Sequence, residues 1–195
     1  MTTAMPALES ARLVVRPFVM EDLDACHQLL DLEAWQTRQT LEQRRTWLQW
    51  AVLNYDALSG LLQYPYGDRA VVLKSTGELV GSVGLVPGMG LFDRLPSFGG
   101  DVDSQFMRPE VGMFWATRTG HLRRGYATEA AQALVDYAFG PLQLRRLIAT
   151  TTYDNAASQA VMRHLGMSIE RNPLPEPAWF QVVGVLQNPA VKEPR

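Results

Sequence analysis

The chain has 195 residues, of which 47% are hydrophobic and 19% charged, a size and balance that suit one domain with a sizeable core. The 15 Gly, 12 Pro and mixed apolar content exclude collagen, coiled-coil and disordered chains. A formal charge of −2, from 18 Lys+Arg against 20 Asp+Glu, provides no general field toward nucleic acid or anionic lipid. Cys26 is the one cysteine, so an intramolecular disulfide and cysteine-rich structural zinc sites are excluded. The N-terminus, MTTAMPALESARLVVRPF, has no basic start followed by an apolar core, so no secretory signal is expected. No run reaches the ~18 apolar residues of a membrane span, and cytoplasmic residence is expected.

In chain order, a short strand is expected over Arg12 to Arg16, stopped by Pro17. A helix follows from about Met20 to Leu30, with Glu21, Asp22 and Asp24 in its first turn. A second helix, about Leu41 to Tyr55, carries Leu41, Leu48, Ala51, Val52 and Tyr55 on one face. Ala70 to Leu73 and Glu78 to Val86 read as a hairpin closed by Ser75, Thr76 and Gly77. Residues 88–108 form a long Gly-, Pro- and Asp-rich loop whose apolar members, Leu91, Phe92, Leu95 and Phe98, argue against plain disorder.

Glu110 to Thr117 alternates as a strand, and a helix is expected from about Arg124 to Phe139. Its buried stripe is Ala127, Ala130, Ala131, Leu134 and Ala138. Leu144 to Thr152 is a strand, Asn155 to Leu165 a helix ended by Gly166, and Met167 to Glu170 with Trp179 to Leu186 complete the sheet. Strand, helix and strand with short joints imply a parallel central pair with antiparallel hairpins on either side, a mixed α/β sheet.

The segment His121 to Thr128 joins a strand end to a helix start. Helix N-termini present unpaired N–H groups and partial positive charge. Gly125 and Ala127 allow close approach to the backbone, and Arg123 and Arg124 add charge. These features make a diphosphate site or, equally, a plain helix start with solvated arginines. The spacing is neither GxxxxGK[ST] nor GxGxxG.

The run EVGMFWATRTGHLRRGYATEAAQALVDYAF, followed by LRRLIATTTYDNAASQAVMRHLGM, resembles the GNAT superfamily of acyl-CoA-dependent N-acetyltransferases. It is most similar to the Rim-type branch that acetylates N-termini of ribosomal proteins and related amines. LESARLVVRPF and GELVGSVGL also resemble that branch, and the resemblance covers the chain outside the 88–108 insertion.

The resemblance implies a single acyltransferase domain over residues 1–195, with a mixed six- to seven-stranded sheet and about four helices. It implies acetyl-CoA as cosubstrate, held by the backbone of Trp115, Ala116, Thr117 and Arg118 along the pantetheine arm. Leu122, Arg123, Arg124, Gly125, Tyr126, Ala127 and Thr128 would take the diphosphate, with Asn155 and Ser158 near the thioester. Leu122 departs from the family motif, which has a polar residue there.

Acetyl transfer needs a neutral amine, a donor for the developing oxyanion and a proton for the leaving thiolate. An α-amine, with a pKa of about 7.7–8.0, needs far less help from a base than a lysine-like amine at about 10.4. By resemblance Glu110 is the candidate base, acting directly or through water; otherwise it is a surface carboxylate at a strand end. The position where many relatives carry a proton-donating Tyr is Met162, and Ser158 is the Rim-type substitute. Asn155 can also cap the helix by accepting from the N–H of residue 158.

Trp35, Tyr64, Tyr66, Trp179 and Phe180 are candidates for an acceptor pocket or for the core. His27, His121 and His164 are scattered, so no metal site is expected. Cys26 reads as a small buried residue. The acceptor is a small-molecule amine or a peptide or protein N-terminus, with neither nucleic acid nor membrane as partner. Family habit allows a homodimer that no sequence feature requires. Two rival functions are a catalytically weak CoA-binding sensor and a partner-binding module that docks through residues 88–108.

Overall fold

A computed structural model describes residues 6–191, so both ends of the expected 1–195 domain lie outside the described residues. The eight strands follow the order β1-β2-β3-β4-β5-β6-β8-β7, one or two more than expected. They are β1 (Leu8–Glu9), β2 (Leu13–Pro17), β3 (Gly67–Leu73), β4 (Leu79–Gly90), β5 (Arg108–Thr117), β6 (Arg146–Thr151), β7 (Ser168–Arg171) and β8 (Val182–Gln187). The four α-helices are α1 (Leu23–His27), α2 (Leu41–Gly60), α3 (Tyr126–Phe139) and α4 (Ala156–His164). The extra strand is β1, two residues paired with Val14 and Val15, too short to leave a periodic signal. No helix among the described residues is long and apolar enough to cross a membrane.

The chain forms two compact units, with β4 and β5 each divided between them. The first comprises residues up to Leu85 together with Trp115–Tyr137. Here β2 pairs antiparallel with β3, and β3 with β4 through an irregularity at Val71 and Val72. Alternation turns Ala70 and Val72 toward Phe18, Leu23, Cys26, Leu29, Leu30 and Leu48, which form one core cluster. Phe18 meets Trp47 edge-on at 6.1 Å.

The expected helix over residues 20–30 is instead a 3₁₀ turn, the short α1 and a π-helical stretch, Gln28–Ala34. Apolar spacing shows that a segment is helical but not how tightly it winds. Asp31 on the π stretch is fully buried. Arg44 donates to it from Nε at 2.8 Å and from Nη2 at 2.7 Å, and His27 and Thr37 also bind it. Burial pushes the Asp31 carboxyl up, but the bonds from Arg44, Thr37 and His27 outweigh it and hold it at about 2. Nearby, burial pushes Asp68 up to about 6 against the opposing field of Arg44. Burial also pushes the Cys26 thiol up to about 12, which keeps it protonated and unreactive.

The second unit comprises Val86–Phe114 and residues from Ala138 onward. β5 and β6 are parallel at Gly112 and Ile148, β6 and β8 antiparallel, and β7 closes the edge against β8. The expected 88–108 loop is largely built structure. β4 runs on to Gly90, and two 3₁₀ turns follow at Phe92–Arg94 and Pro96–Phe98. Phe92, Leu95 and Phe98 pack with Ile148, Phe180, Val183 and Val185 in a second core. Arg94 Nε donates to the Ser104 carbonyl at 2.8 Å, and Arg108 pairs with Asp93 at 2.6 Å. Phe92, Leu95 and Phe98 are therefore core, while Met89, Val102, Phe106 and Met107 of the same segment stay exposed.

Two outcomes test the polar network of the first unit. Asp31→Asn leaves Arg44 buried without its counter-charge, an expected loss of about 3–5 kcal/mol in urea unfolding at pH 7. The contribution of Asp31 is present above its unfolded pKa of about 3.9 and fades as pH falls toward 2. Asp68 has the opposite sign, because its folded pKa lies above the unfolded value. Its contribution is full below about pH 4 and is lost as pH rises through about 6. Asp68→Asn is expected to raise Tm at pH 8 and leave it unchanged at pH 4. A lower Tm at both values would mean that the charged carboxylate is required.

Candidate active site

In the first unit, the end of β5 runs into a 3₁₀ turn, Thr119–His121, then the loop 122–125 and α3. The Arg118 N–H donates to the Val80 carbonyl at 2.9 Å. A Cβ on Gly81 would stand 2.5 Å from the Ala116 carbonyl oxygen, so only glycine lets this part of β5 lie so close to β4.

Arg123 and Gly125 both have positive φ, +59° and +79°. This left-handed turn is what Gly125 supplies, and it breaks the helix expected from Arg124 so that α3 begins at Tyr126. The first helical bond runs from the Glu129 N–H to the Gly125 carbonyl at 3.0 Å. Among the described residues, the N–H groups of residues 126–128 therefore have no backbone acceptor one turn back. Leu122, Arg123, Arg124 and Gly125 are exposed, and Tyr126, Ala127 and Thr128 are half-buried. Free N–H groups at a positive helix end, with exposed arginines and no side chain at Gly125, fit a diphosphate.

Four carboxylates and two arginines to which the sequence assigned no site role shape this region or its surroundings. Glu33 accepts from the Thr119 N–H and approaches Arg118 at 3.5 Å. Burial pushes the Glu33 carboxyl up, but the Thr119 N–H, Gln28 and Arg118 bring it below the usual range. Glu78 pairs with Arg118 Nη1 at 3.3 Å and His121 Nε2 at 3.1 Å. Glu129 binds Arg12 and Ser10, while Asp22 pairs with Arg16 at 2.7 Å beside the start of α1. The side chain of Arg118 is thus directed to Glu33 and Glu78, leaving its backbone as the part aligned with β5. Trp35 and Tyr64 are about half exposed, and the Tyr66 hydroxyl donates to Gln63 Oε1 at 3.1 Å.

In the second unit, Glu110 is bound through both oxygens by Arg146, whose Nε donates at 3.0 Å. Arg146 also lies over the Phe98 ring at 4.2 Å. Beside this pair is a cleft of about 480 Å³ walled by Pro87, Met89, Pro109 and Val111, with Arg145 at its edge. Asn155 Oδ1 accepts from the Ser158 N–H at 3.0 Å and caps α4. Ser158 is half-buried, and Met162, in the position of the missing tyrosine, is fully buried core.

Arg146 opens β6, and Asn155 and Ser158 follow its far end. The strand separates those levels by roughly 17 Å at 3.3 Å per residue. The structure therefore brings Asn155 and Ser158 together and sets Glu110 apart from them. Trp179 is exposed, but Phe180, expected at an acceptor pocket, is 2% exposed and meets Phe92 at 5.2 Å. It is a core residue because the turn Ala178–Phe180 points it inward. Among the described residues there is no group of three or more His, Cys, Asp or Glu able to hold a metal.

A mixed sheet with a parallel central pair, and a strand leading through a glycine turn into an open helix end, defines an α/β protein of acetyltransferase architecture. The chain matches the Acetyltransferase (GNAT) domain over residues 12–168 and belongs to that family. The uncharacterised N-acetyltransferase YoaA of Bacillus subtilis is 26% identical over 85% of this chain and 84% of its own length. An acetyltransferase structure from Agrobacterium tumefaciens matches at 26% identity and TM-score 0.66, covering 96% of this chain and 97% of that one. RimL, a ribosomal L7/L12 α-N-protein acetyltransferase solved with coenzyme A, shares the fold at 16% identity and TM-score 0.62, over 92% and 96% of the two chains. The chain spans 35%, 57% and 60% of the lengths of the first curated relatives it matches.

Gly81→Ala forces β5 away at Ala116. An expected loss of about 1–3 kcal/mol in urea unfolding should come with weaker acetyl-CoA binding by calorimetry. Unchanged affinity would show that the backbone around Ala116 takes no part in holding the ligand.

Proposed function

We propose that the protein transfers an acetyl group from acetyl-CoA to a primary amine by direct attack in a ternary complex. The observation that carries this reading is the open start of α3 behind the left-handed turn at Arg123 and Gly125. Family membership supports acyl transfer in general, and RimL is a member of this fold solved with coenzyme A. When bound, acetyl-CoA supplies an activated thioester carbonyl. The N–H groups of residues 126–128, with Arg123 and Arg124, hold its diphosphate, and the backbone of Trp115 to Arg118 aligns its pantetheine arm.

The Ser158 hydroxyl, in the first turn of the helix that Asn155 caps, donates toward the sulfur, the task left by Met162. Glu110 accepts from Arg146 through both oxygens and lies roughly 17 Å along the sheet from Ser158, so it reaches the amine proton only through a chain of waters. That arrangement suits an acceptor whose amine loses its proton readily, an α-amine of a peptide or protein N-terminus or of a small molecule.

A catalytically weak CoA-binding protein is the second reading, favoured by the engaged carboxylate of Glu110 and the buried Met162. The partner-binding alternative loses Phe92, Leu95 and Phe98, which are core, and keeps the exposed Met89, Val102, Phe106 and Met107 of the same segment.

Thermal unfolding with acetyl-CoA, CoA, ATP and NAD tests the cofactor. Ligand at 100 times its Kd adds about 2.7 kcal/mol, about 5–11 °C for a chain of this size. A shift of that order with the two CoA species alone supports the reading, and no shift at millimolar levels overturns it. Ser158→Ala and Glu110→Gln then separate enzyme from sensor. Each is expected to lower turnover on α-amine acceptors by about 10²–10⁴-fold with acetyl-CoA affinity kept. Turnover unaffected by either change would remove these roles.

A further inference from the structure

The helix end assigned to the diphosphate carries a carboxylate in its own first turn, the wrong charge for an anion site. Glu129 is largely buried, with its side chain 18% exposed. Burial pushes its carboxyl up, yet Ser10 and Arg12 bring it below the usual range, so it is ionised at neutral pH. Alone, that charge would oppose a phosphate bound one turn away and offset the field of the helix end.

Arg12, 117 residues earlier in the chain, answers it. Its Nε donates to Glu129 Oε2 at 2.7 Å, and Nη2 lies 2.6 Å from the same oxygen. Its backbone N–H and the Ser10 hydroxyl bind Oε1 at 2.8 and 2.7 Å. The guanidinium lies over the Tyr126 ring at 4.6 Å and reaches the loop itself. Its Nη2 stands 3.4 Å from the place a Cβ on Gly125 would take. The cation therefore spans from the carboxylate to the turn.

We propose that Arg12 is a positioning residue of the diphosphate site, the counter-charge that cancels Glu129 and so leaves the field of α3 available to the anion. This rests on the acyl-CoA reading of the loop. A purely structural clasp between β2 and α3 would use the same contacts. The two differ in what happens when each charge is removed alone.

The test measures CoA affinity by calorimetry at 20 mM and 500 mM salt for the parent protein, Arg12→Gln, Glu129→Gln and the double variant. Arg12→Gln, which exposes the carboxylate, is expected to weaken CoA binding about tenfold at low salt, with a smaller effect at high salt. Glu129→Gln is expected to tighten it several-fold even where Tm falls, and the double variant to return close to the parent. Tightening in Glu129→Gln is the outcome no structural clasp gives, and it can be read even if Arg12→Gln fails to fold. Unchanged or weaker binding in Glu129→Gln, or a double variant as weak as Arg12→Gln, overturns the counter-charge role alone. A parent protein that binds no CoA overturns the cofactor reading and this role with it.

Discussion

The carboxylate of Glu129 ties the first turn of α3 to the residues that open β2. Three donors from Ser10 and Arg12 converge on it, two of them side chains and one a backbone N–H. The same contacts set a cation between that carboxylate and the turn whose N–H groups face the loop. Gly125 contributes the other half by taking the left-handed conformation, which breaks the chain direction between strand and helix. On the strand side, Glu33 and Glu78 hold the Arg118–His121 turn, so the loop between is stretched between two fixed ends. Exposure is concentrated at residues 122–125, between those anchors.

The second unit solves a different problem. Its core is built around aromatic rings from the 3₁₀ turns, and the Arg146 guanidinium sits on one of them while binding Glu110. Fixing a carboxylate in this way costs it mobility and direct reach. The cap at Asn155 and Ser158 has the opposite character, with a small hydroxyl at a helix start and a side-chain oxygen already aligned by hydrogen bonding.

Much of the fold was legible in the sequence. The alternation of residues 110–117, the alanine stripe of α3 and the Ser75 to Gly77 turn each report a local geometry, and local geometry leaves periodic marks. The parallel pairing of β5 and β6 followed from the helix between them. Failures came where tertiary packing overrides local pattern. The 88–108 segment has loop composition, yet Phe92 and Phe98 have a core to enter. Phe180 and Trp179 are neighbours of like type, and only the turn that carries them separates a buried ring from an exposed one. Asp31 on the π stretch is buried against Arg44, 13 residues onward, a pairing that no local pattern records.

The sequence by itself determined the family, the helix end with its glycine and arginines, and the cap at Asn155, because each is a short-range pattern set by backbone geometry. It also showed that Leu122 and Met162 depart from the usual residues. Only the tertiary structure decided which charges face one another. Arg12 meets Glu129, Arg146 meets Glu110, and Glu33 meets the Thr119 N–H across gaps of 117, 36 and 86 residues. Charge pairing acts over a few ångströms of space whatever the separation along the chain, so no spacing in the sequence records it.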